Sequence, residues 1–356
     1  MTASSVPFIR PLTLGQLLDQ AIGLYRRNFA AFIGIIAIPY IPLTILQTLI
    51  SYYSMDSAAG ILTSPPVDSS SPFGMLPIGY WTGMLGLIVV GLIQFILVNG
   101  VATAAFTRAV ANNYTGQSVG VIDSYRQLGN SWLRLVGAIL LAVLISFPLV
   151  IWFIIPCVGW FTGPGLLSFF SLVVIPLTAP VIVLERHSIT VSLRRAWDLG
   201  RSRFWWLIGF ALVIFLLGQL IITGPTYVIS AILQVIFLRE GNMQAAYVWR
   251  PVIQMLVQMS GGLLYLPLQL TAMMLVYFDL RVRSEGLDLA LQAAAESGAE
   301  TNIVALAETS AAPTGDFITG QDALNFFLLS IGIVALYFLF VGLFVGLFML
   351  IAAVFA

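Results

Sequence analysis

The sequence predicts an all-α polytopic membrane bundle: three parallel repeats of a cytoplasmic amphipathic helix plus two transmembrane helices, followed by an additional C-terminal transmembrane helix. Three observations favour this fold. Of the 356 residues, 60% are hydrophobic and only 8% are charged, whereas soluble domains average about 25% charged residues. Seven apolar runs are each long enough for a helix to cross about 30 Å of hydrocarbon. A short sequence motif recurs before these runs.

The apolar runs define the predicted spans in chain order. They cover residues 29–52, 79–107, 133–155, 160–184, 204–223, 251–278 and 324–356. The first 28 residues contain no apolar run, so we do not expect a cleaved signal peptide there. Residues 224–237 are also apolar, but this short stretch starts with Gly224 and Pro225, so we predict either a bent continuation of the fifth span or a surface segment. The last run would measure about 50 Å as a straight helix, which requires tilt or a break.

The placement of arginine predicts the orientation. All 15 basic residues are arginine. Thirteen of them lie before the first predicted span or in loops on that same side of the membrane, and only Arg239 and Arg250 lie in loops on the opposite side. Because positively charged residues concentrate in cytoplasmic loops, we expect a cytoplasmic N-terminus. Seven spans then place the C-terminus outside.

Two polar segments divide the chain. Residues 53–78 are rich in Ser and Pro and are predicted to form an external loop. Residues 284–322 carry seven acidic residues and no basic one, which predicts a helix followed by a flexible linker. The predicted units are therefore a six-span membrane domain (1–283), an acidic cytoplasmic helix and linker (284–322) and a seventh transmembrane helix (323–356).

A common motif precedes each pair of the first six spans. Residues 13–31 match residues 188–206 at a constant offset of 175, and a weaker copy covers residues 118–137. Each copy starts with Ser or Thr, which favour the N-cap of a helix, and continues with apolar residues at helical spacing. Each repeat contains two spans, so the copies share one orientation about an axis along the membrane normal. The predicted repeats cover about 11–110, 116–186 and 187–283.

Three segments carry a resemblance to a known family: PLTLGQLLDQAIGLYRRNF, SLRRAWDLGRSRFWWLIG and YFDLRVRSEGLDL. They resemble a bacterial integral-membrane family, the glycerophosphoryl diester phosphodiesterase membrane domain, over roughly residues 8–290. The resemblance implies an all-helical domain of the bacterial cytoplasmic membrane, which is sometimes fused to a phosphodiesterase domain. It implies no agreed activity for the membrane part.

The residues themselves argue against an enzyme. The phosphodiesterase in the family name resembles a metal-dependent barrel with acid/base histidines, but this chain has a single histidine, His187. Its single cysteine, Cys157, is predicted on the opposite membrane face, which excludes a shared Cys/His metal site or nucleophile pair. We therefore expect no catalytic residue, no metal and no cofactor. With 15 basic and 15 acidic residues, no net charge favours nucleic acid.

Arginines next to aromatic residues suggest contacts with lipid head groups. Each arginine near an anionic membrane surface contributes about 1 kcal/mol, and aromatic rings favour the interface. The candidate lipid head-group contacts are Arg26, Arg27, Arg194, Arg195, Arg201 and Arg203; the alternative is that they only set topology and anchor the helices. At the cytoplasmic helix ends, Glu185 lies next to Arg186 and Asp279 lies close to Arg281, so we expect local ion pairs there.

Within the spans, uncharged polar residues and small residues mark two further candidate contact sites. Gln254 and Gln258 lie one helical turn apart and form a candidate intramembrane polar face, which either bonds to a neighbouring helix or lines a substrate path. Gly342 and Gly346 form a GxxxG pair, so the seventh span is expected to dock closely on the body or on a second copy.

These observations favour a non-catalytic integral membrane protein that binds or handles lipid, or that organises membrane partners. One alternative is a transporter or permease for an uncharged or lipid-like substrate, which would use the proline-containing spans and their amides. Another is a structural subunit of a membrane complex, attached through the seventh span and the acidic linker. The expected partners are membrane lipids, and a protein partner or second copy at Gly342 and Gly346, but no nucleic acid.

Overall fold

The structure, a computed structural model, describes residues 12–59, 77–114, 120–156, 158–240, 243–287, 289–290 and 316–355. These residues are almost entirely helical and include no strand. Seven of the described helices are long and apolar enough to cross a membrane. The protein is therefore an all-α polytopic helical bundle, as predicted. Cys157 and most of the two polar segments (53–78 and 284–322) lie outside the described residues.

Ten helices form most of the described chain. They are α1 (Leu14–Arg27), α2 (Phe29–Ala59), α3 (Ile78–Gln94, Phe95–Ala102 and Thr103–Tyr114), α4 (Val121–Arg126), α5 (Ser131–Ile154), α6 (Val158–Phe169, Phe170–Val174, Ile175–Pro180 and Val181–Glu185), α7 (Ile189–Ser202), α8 (Phe204–Gly218, Gln219–Thr223 and Gly224–Glu240), α9 (Met243–Glu285) and α10 (Gly320–Phe355). Where a helix has several segments, the segments are continuous. The segments Phe95–Ala102, Phe170–Val174, Val181–Glu185 and Gln219–Thr223 are π-helical.

Local sequence signals explain where the first helices begin and end. Thr13 caps α1 through a reciprocal capping box with Gln16, in which each side chain accepts the backbone N–H of the other residue. Along α1 one stripe is buried, consisting of Leu17, Ala21 and Tyr25. The next helix, α2, continues to Ala59, so the prediction that a loop begins at residue 53 was wrong. Between residue 53 and Gly60 the sequence has no Gly or Pro that would end the helix.

The stretch 224–237 belongs to the fifth span. It forms part of α8, and the candidate span there runs from Phe204 to Ile236. Of the two predicted arrangements, the continuation of the span is therefore correct and a separate surface segment is wrong. The π-helical segment Gln219–Thr223 lies just before Gly224 and Pro225, and it accommodates the proline without ending the helix.

The buried core is concentrated at the end of the bundle where α1, α4 and α7 join the spans, which we call the arginine end. Buried side chains lie at the start of α2 and at the ends of α3, α6 and α9, and include Phe32, Phe106, Ile182 and Tyr277. Towards the opposite ends of the hairpins, Leu85 and Tyr227 are 63% and 72% exposed. Lipid tails are as apolar as leucine, so these exposed side chains match a hydrocarbon environment.

The surface helix of the middle pair, α4, is short but firmly attached. Tyr125 donates a hydrogen bond from its hydroxyl to the Ile35 carbonyl oxygen of α2 at 2.6 Å. Burial raises the pKa of Tyr125 to about 12, so the hydroxyl remains a neutral donor at physiological pH. This contact links α4 to the first helical hairpin.

The helix boundaries agree with the offset in the predicted repeat for two of its three copies. The starts of α1 and α7 lie 175 residues apart, and so do their ends. In the third copy the surface helix, α4, is only six residues long (Val121–Arg126). At the start of α7, Ser188 occupies the predicted N-cap position, but its side chain makes no cap hydrogen bond. The repeat as a whole stays a prediction.

Candidate lipid-binding groove and arginine helices

Two of the six candidate arginines are exposed. Arg26 and Arg27 form the last turn of α1, where their charge also complements the negative end of the helix dipole. Tyr25 and Phe29 flank them, with ring centroids 5.2 Å apart. This exposed pair of cations beside aromatic rings retains the features on which the head-group prediction was based.

Arg195 was expected at a lipid surface, but it is buried in a network of ion pairs at the arginine end. Its Nε lies 3.2 Å from Glu185 Oε2, and its guanidinium also contacts Glu285. The residue is only 7% exposed. A head group would have to replace these buried carboxylates, so the structure corrects this assignment.

The same network joins three helices. Glu185, at the end of α6, accepts a hydrogen bond from the Tyr277 hydroxyl at 2.8 Å. Arg281 of α9 lies 3.9 Å from Glu185 and 2.8 Å from Glu285. His187 Nε2 lies 3.7 Å from Glu185. The ion pair expected at Glu185 is therefore present with Arg195 and Arg281 as partners, whereas the sequence suggested the adjacent Arg186.

A second cluster surrounds Asp279. Its carboxylate lies 3.4 Å from Arg203 and 2.9 Å from Arg283, and it accepts the backbone N–H of Leu12 at 2.8 Å. The guanidinium of Arg203 also lies over the Trp206 ring, 4.8 Å from its centroid. Asp279 therefore balances the charge of Arg203. The ion pair expected at Asp279 is present, but its partners are Arg203 and Arg283 rather than Arg281.

Arg194 and Arg201, which were also candidate head-group contacts, hold the segment before α10. We call residues 316–319 the strap. Arg194 Nη2 and Arg201 Nη1 donate to the Asp316 carbonyl oxygen at 2.8 and 2.9 Å. Both guanidiniums pair with Asp198, at 3.2 and 3.1 Å, and Arg201 lies 3.4 Å from Asp322 of α10. Their partners are therefore protein groups.

Docking of the seventh span on the body, one of the two predicted arrangements, occurs through the first part of α10. The backbone N–H of Gly165 in α6 donates to Ser330 Oγ at 2.7 Å. Phe326 packs against Phe169 with ring centroids 5.5 Å apart. A side chain at Gly165 would collide with the Phe326 carbonyl, so this glycine permits the close approach.

Gly342 and Gly346 do not form this contact. Both are exposed, and no atom of another described residue lies within 4 Å of the position of an added Cβ at either glycine. The close approach predicted for the GxxxG pair therefore does not occur with the described residues of the same chain. An interface between these glycines and a second copy stays a prediction.

The predicted polar face divides into two environments. Gln254 donates from Nε2 to Ser230 Oγ of the neighbouring α8 at 2.7 Å, while Gln258 is exposed. Gln254 therefore makes the predicted hydrogen bond to a neighbouring helix. Neither glutamine lines the groove described next.

An apolar groove lies between α5, α6 and α7, beside the strap. Its volume is about 290 Å³. It is lined by Leu141, Ile145, Leu149, Leu166, Phe170, Thr190, Leu193, Arg194, Trp197, Phe317 and Ile318. Thr190 and Arg194 are the only residues of this wall with a hydroxyl or a charge. The arrangement can accept an apolar chain and contact a polar group at one side.

Sequence reasoning identified Arg194 but not the groove. The spacing of Thr190, Arg194 and Trp197 places them on one face of α7, a signal that was available. The strap residues Phe317 and Ile318 could not have been assigned to this wall, since they follow it by more than a hundred residues. Among the described residues, no group of three or more His, Cys, Asp or Glu could hold a metal ion.

Comparisons with known proteins add no further assignment. No protein-family model, no curated protein and no solved structure matches this chain. The resemblance to the glycerophosphoryl diester phosphodiesterase membrane domain therefore stays a prediction.

Proposed function

We propose that this protein is a non-catalytic integral membrane protein that binds lipid, with an acyl chain in the groove between α5, α6 and α7. The observation that carries the proposal is an apolar cavity of about 290 Å³ within a membrane-spanning bundle. An unfilled cavity forfeits dispersion contacts, and lipid tails are the apolar groups available in a membrane. The volume is at the lower end of the range for ligand pockets, which favours a single chain.

Charge at the groove favours recognition of the chain over recognition of the head group. Arg194 and Arg201 are opposed by Asp198 and Asp322, so the nearby cations are balanced by anions. We expect the groove to retain lipids of different head groups to similar extents. Selection of anionic lipids is proposed instead for the exposed pair Arg26 and Arg27.

Native mass spectrometry of the protein released from nanodiscs of mixed phosphatidylethanolamine and phosphatidylglycerol tests this proposal. Leu141→Trp fills the groove, whereas Leu140→Trp places the same side chain at a neighbouring exposed position of α5. We expect a lipid adduct on the wild type and on Leu140→Trp. Its occupancy should fall roughly tenfold in Leu141→Trp, equivalent to about 1.4 kcal/mol. Equal occupancy in both variants, or no adduct on the wild type, would refute binding in the groove.

A second candidate function, the organisation of membrane partners, is favoured by the far part of α10. Leu336, Tyr337, Phe338 and Leu339 are all exposed there, beyond the part that docks on α6. Deletion of residues 336–356, which keeps Glu285 and the docked part of α10, should then remove a co-purifying protein while the remaining spans stay folded. Co-purification that is unaffected by this deletion would exclude the far part of α10 as the attachment element.

A further inference from the structure

The wall of the groove is formed by two parts of the chain that are distant in sequence. Most of it belongs to α5, α6 and α7, but Phe317 and Ile318 belong to the strap. An acyl chain in the groove would therefore contact the body and the strap at the same time. Both contacts are lost together if the strap leaves.

The strap is held by the same face of α7 that lines the groove. Trp197 donates from Nε1 to the Phe317 carbonyl oxygen at 2.9 Å, and its ring stacks on the Phe317 ring with centroids 5.1 Å apart. The Arg194 guanidinium lies 4.8 Å from the centroid of the same Phe317 ring. Trp197 and Arg194 thus contact both the strap and the groove.

The strap is continuous with the docked part of α10. Asp322, in the first turn of α10, accepts hydrogen bonds from the backbone N–H and the hydroxyl of Thr319, both at 2.8 Å. Further along, Phe326 and Ser330 contact α6. A displacement of the strap is therefore linked to undocking of the first turns of α10.

We propose that lipid occupancy of the groove and docking of α10 are coupled, so that the bound chain holds the seventh span against the body. This inference rests on the proposed lipid binding. A ligand shifts an equilibrium towards the state that it binds more tightly, and only the docked state supplies Phe317 and Ile318. By reciprocity, docking must raise the affinity for lipid by the same factor by which bound lipid favours docking, so a variant that docks less should bind lipid more weakly.

Cross-linking between α6 and α10 measures docking. Phe161 and Phe327 have ring centroids 6.0 Å apart, so Phe161→Cys/Phe327→Cys in a Cys157→Ser background can be joined by a short bis-maleimide. The control pair is Trp152→Cys/Thr162→Cys, which lies within the α5/α6 hairpin and reports no α10 movement. Each pair is tested in delipidated detergent solution and after phosphatidylethanolamine is added back.

We expect delipidation to lower the yield for the α6/α10 pair several-fold, and added lipid to restore it, with no change for the control pair. In Leu141→Trp, added lipid should no longer change the yield. Native mass spectrometry of the same samples separates the two hypotheses. A groove-dependent lipid adduct with an unchanged cross-link yield would overturn the coupling alone, whereas the absence of any adduct would overturn the lipid binding as well.

The reciprocal experiment uses a residue that does not line the groove. Gly165→Ala places a methyl group against Phe326 and Ser330, whereas Gly332→Ala on α10 adds one in open space. We expect Gly165→Ala to lower lipid occupancy several-fold and Gly332→Ala to leave it unchanged. Equal occupancy in both variants would contradict the coupling, provided that Gly165→Ala lowers the α6/α10 cross-link yield; an unchanged yield would contradict the docking contact itself.

Discussion

Glu185 joins three helices at the arginine end through a single carboxylate. It contacts Arg195 of α7 and both Tyr277 and Arg281 of α9. Removing one partner of a buried ion pair leaves an uncompensated charge, which typically costs 3–5 kcal/mol. The side chain of Glu185 therefore matters more for stability than an exposed carboxylate of the same sequence.

Replacement of Glu185 by glutamine tests this role. Glu185→Gln keeps the size of the side chain but leaves Arg195 and Arg281 with one buried anion fewer. We expect a loss of about 3 kcal/mol, seen as a lower thermal unfolding temperature in detergent. Asp19→Asn, on the exposed face of α1, should change stability by less than about 0.5 kcal/mol. Similar melting temperatures for the two variants would show that the network contributes little.

The hydroxyl of Tyr125 predicts a dependence of stability on pH. Burial raises its pKa from 10.0 to about 12, so the folded protein holds the phenolic proton more tightly than the unfolded chain does. The resulting stabilisation is fully present below pH 10.0 and is lost as the pH rises through about 12. In Tyr125→Phe, which also loses the hydrogen bond to Ile35, stability should be lower by about 1 kcal/mol at neutral pH.

Unfolding followed at several pH values compares Tyr125→Phe with the wild type. The difference between them should stay constant between neutral pH and pH 10.0, and shrink in more alkaline solution. A difference that does not shrink above pH 10.0 would show that burial does not raise the pKa of this hydroxyl.

At the scale of the helices, α1 and α7 have the same length but different surroundings. The outer face of α7 is covered by the strap and the start of α10, and its arginines pair with carboxylates. The corresponding end of α1 leaves Arg26 and Arg27 exposed. The two helices therefore differ in the surface that they offer to lipid head groups, and α1 is the better candidate.

Substitution of both arginines of α1 tests the head-group contact. Each arginine near an anionic surface contributes about 1 kcal/mol, so Arg26→Ala/Arg27→Ala should lower the retention of phosphatidylglycerol by roughly 30-fold at low salt, and by less at high salt. Gln20→Ala, an exposed uncharged position on the same helix, is the control. Retention that does not differ between these variants would remove α1 from the lipid-binding surface.

Periodicity and composition predicted the spans well, because each span depends on a local run of apolar residues. All seven predicted spans overlap helices that can cross a membrane. The partners of α7 could not be predicted in this way. Arg195 is buried because Glu185 and Glu285 converge on it from α6 and α9, a consequence of tertiary packing. Sequence spacing showed that α7 has two faces, but not that the strap covers one of them.

At the scale of the whole molecule, buried charge and close packing coincide at one end of the bundle. The clusters around Glu185 and Asp279 lie at the ends of α6 and α9, whereas the other ends of the hairpins expose apolar side chains such as Leu85 and Tyr227. Charged groups are costly within hydrocarbon. The arginine end is therefore expected at the aqueous boundary, with the hairpins extending from it into the lipid.

The orientation of this whole arrangement can be tested with the native cysteine. Because arginines concentrate on the cytoplasmic side, the arginine end should face the cytoplasm, and Cys157, in the sequence between α5 and α6, should face outwards. A membrane-impermeant maleimide should then label Cys157 in intact cells. In a Cys157→Ser background, Asn130→Cys at the exposed start of α5 should react only after permeabilisation. The reverse pattern would place the arginine helices outside and would exclude their contact with the anionic lipids of the cytoplasmic leaflet.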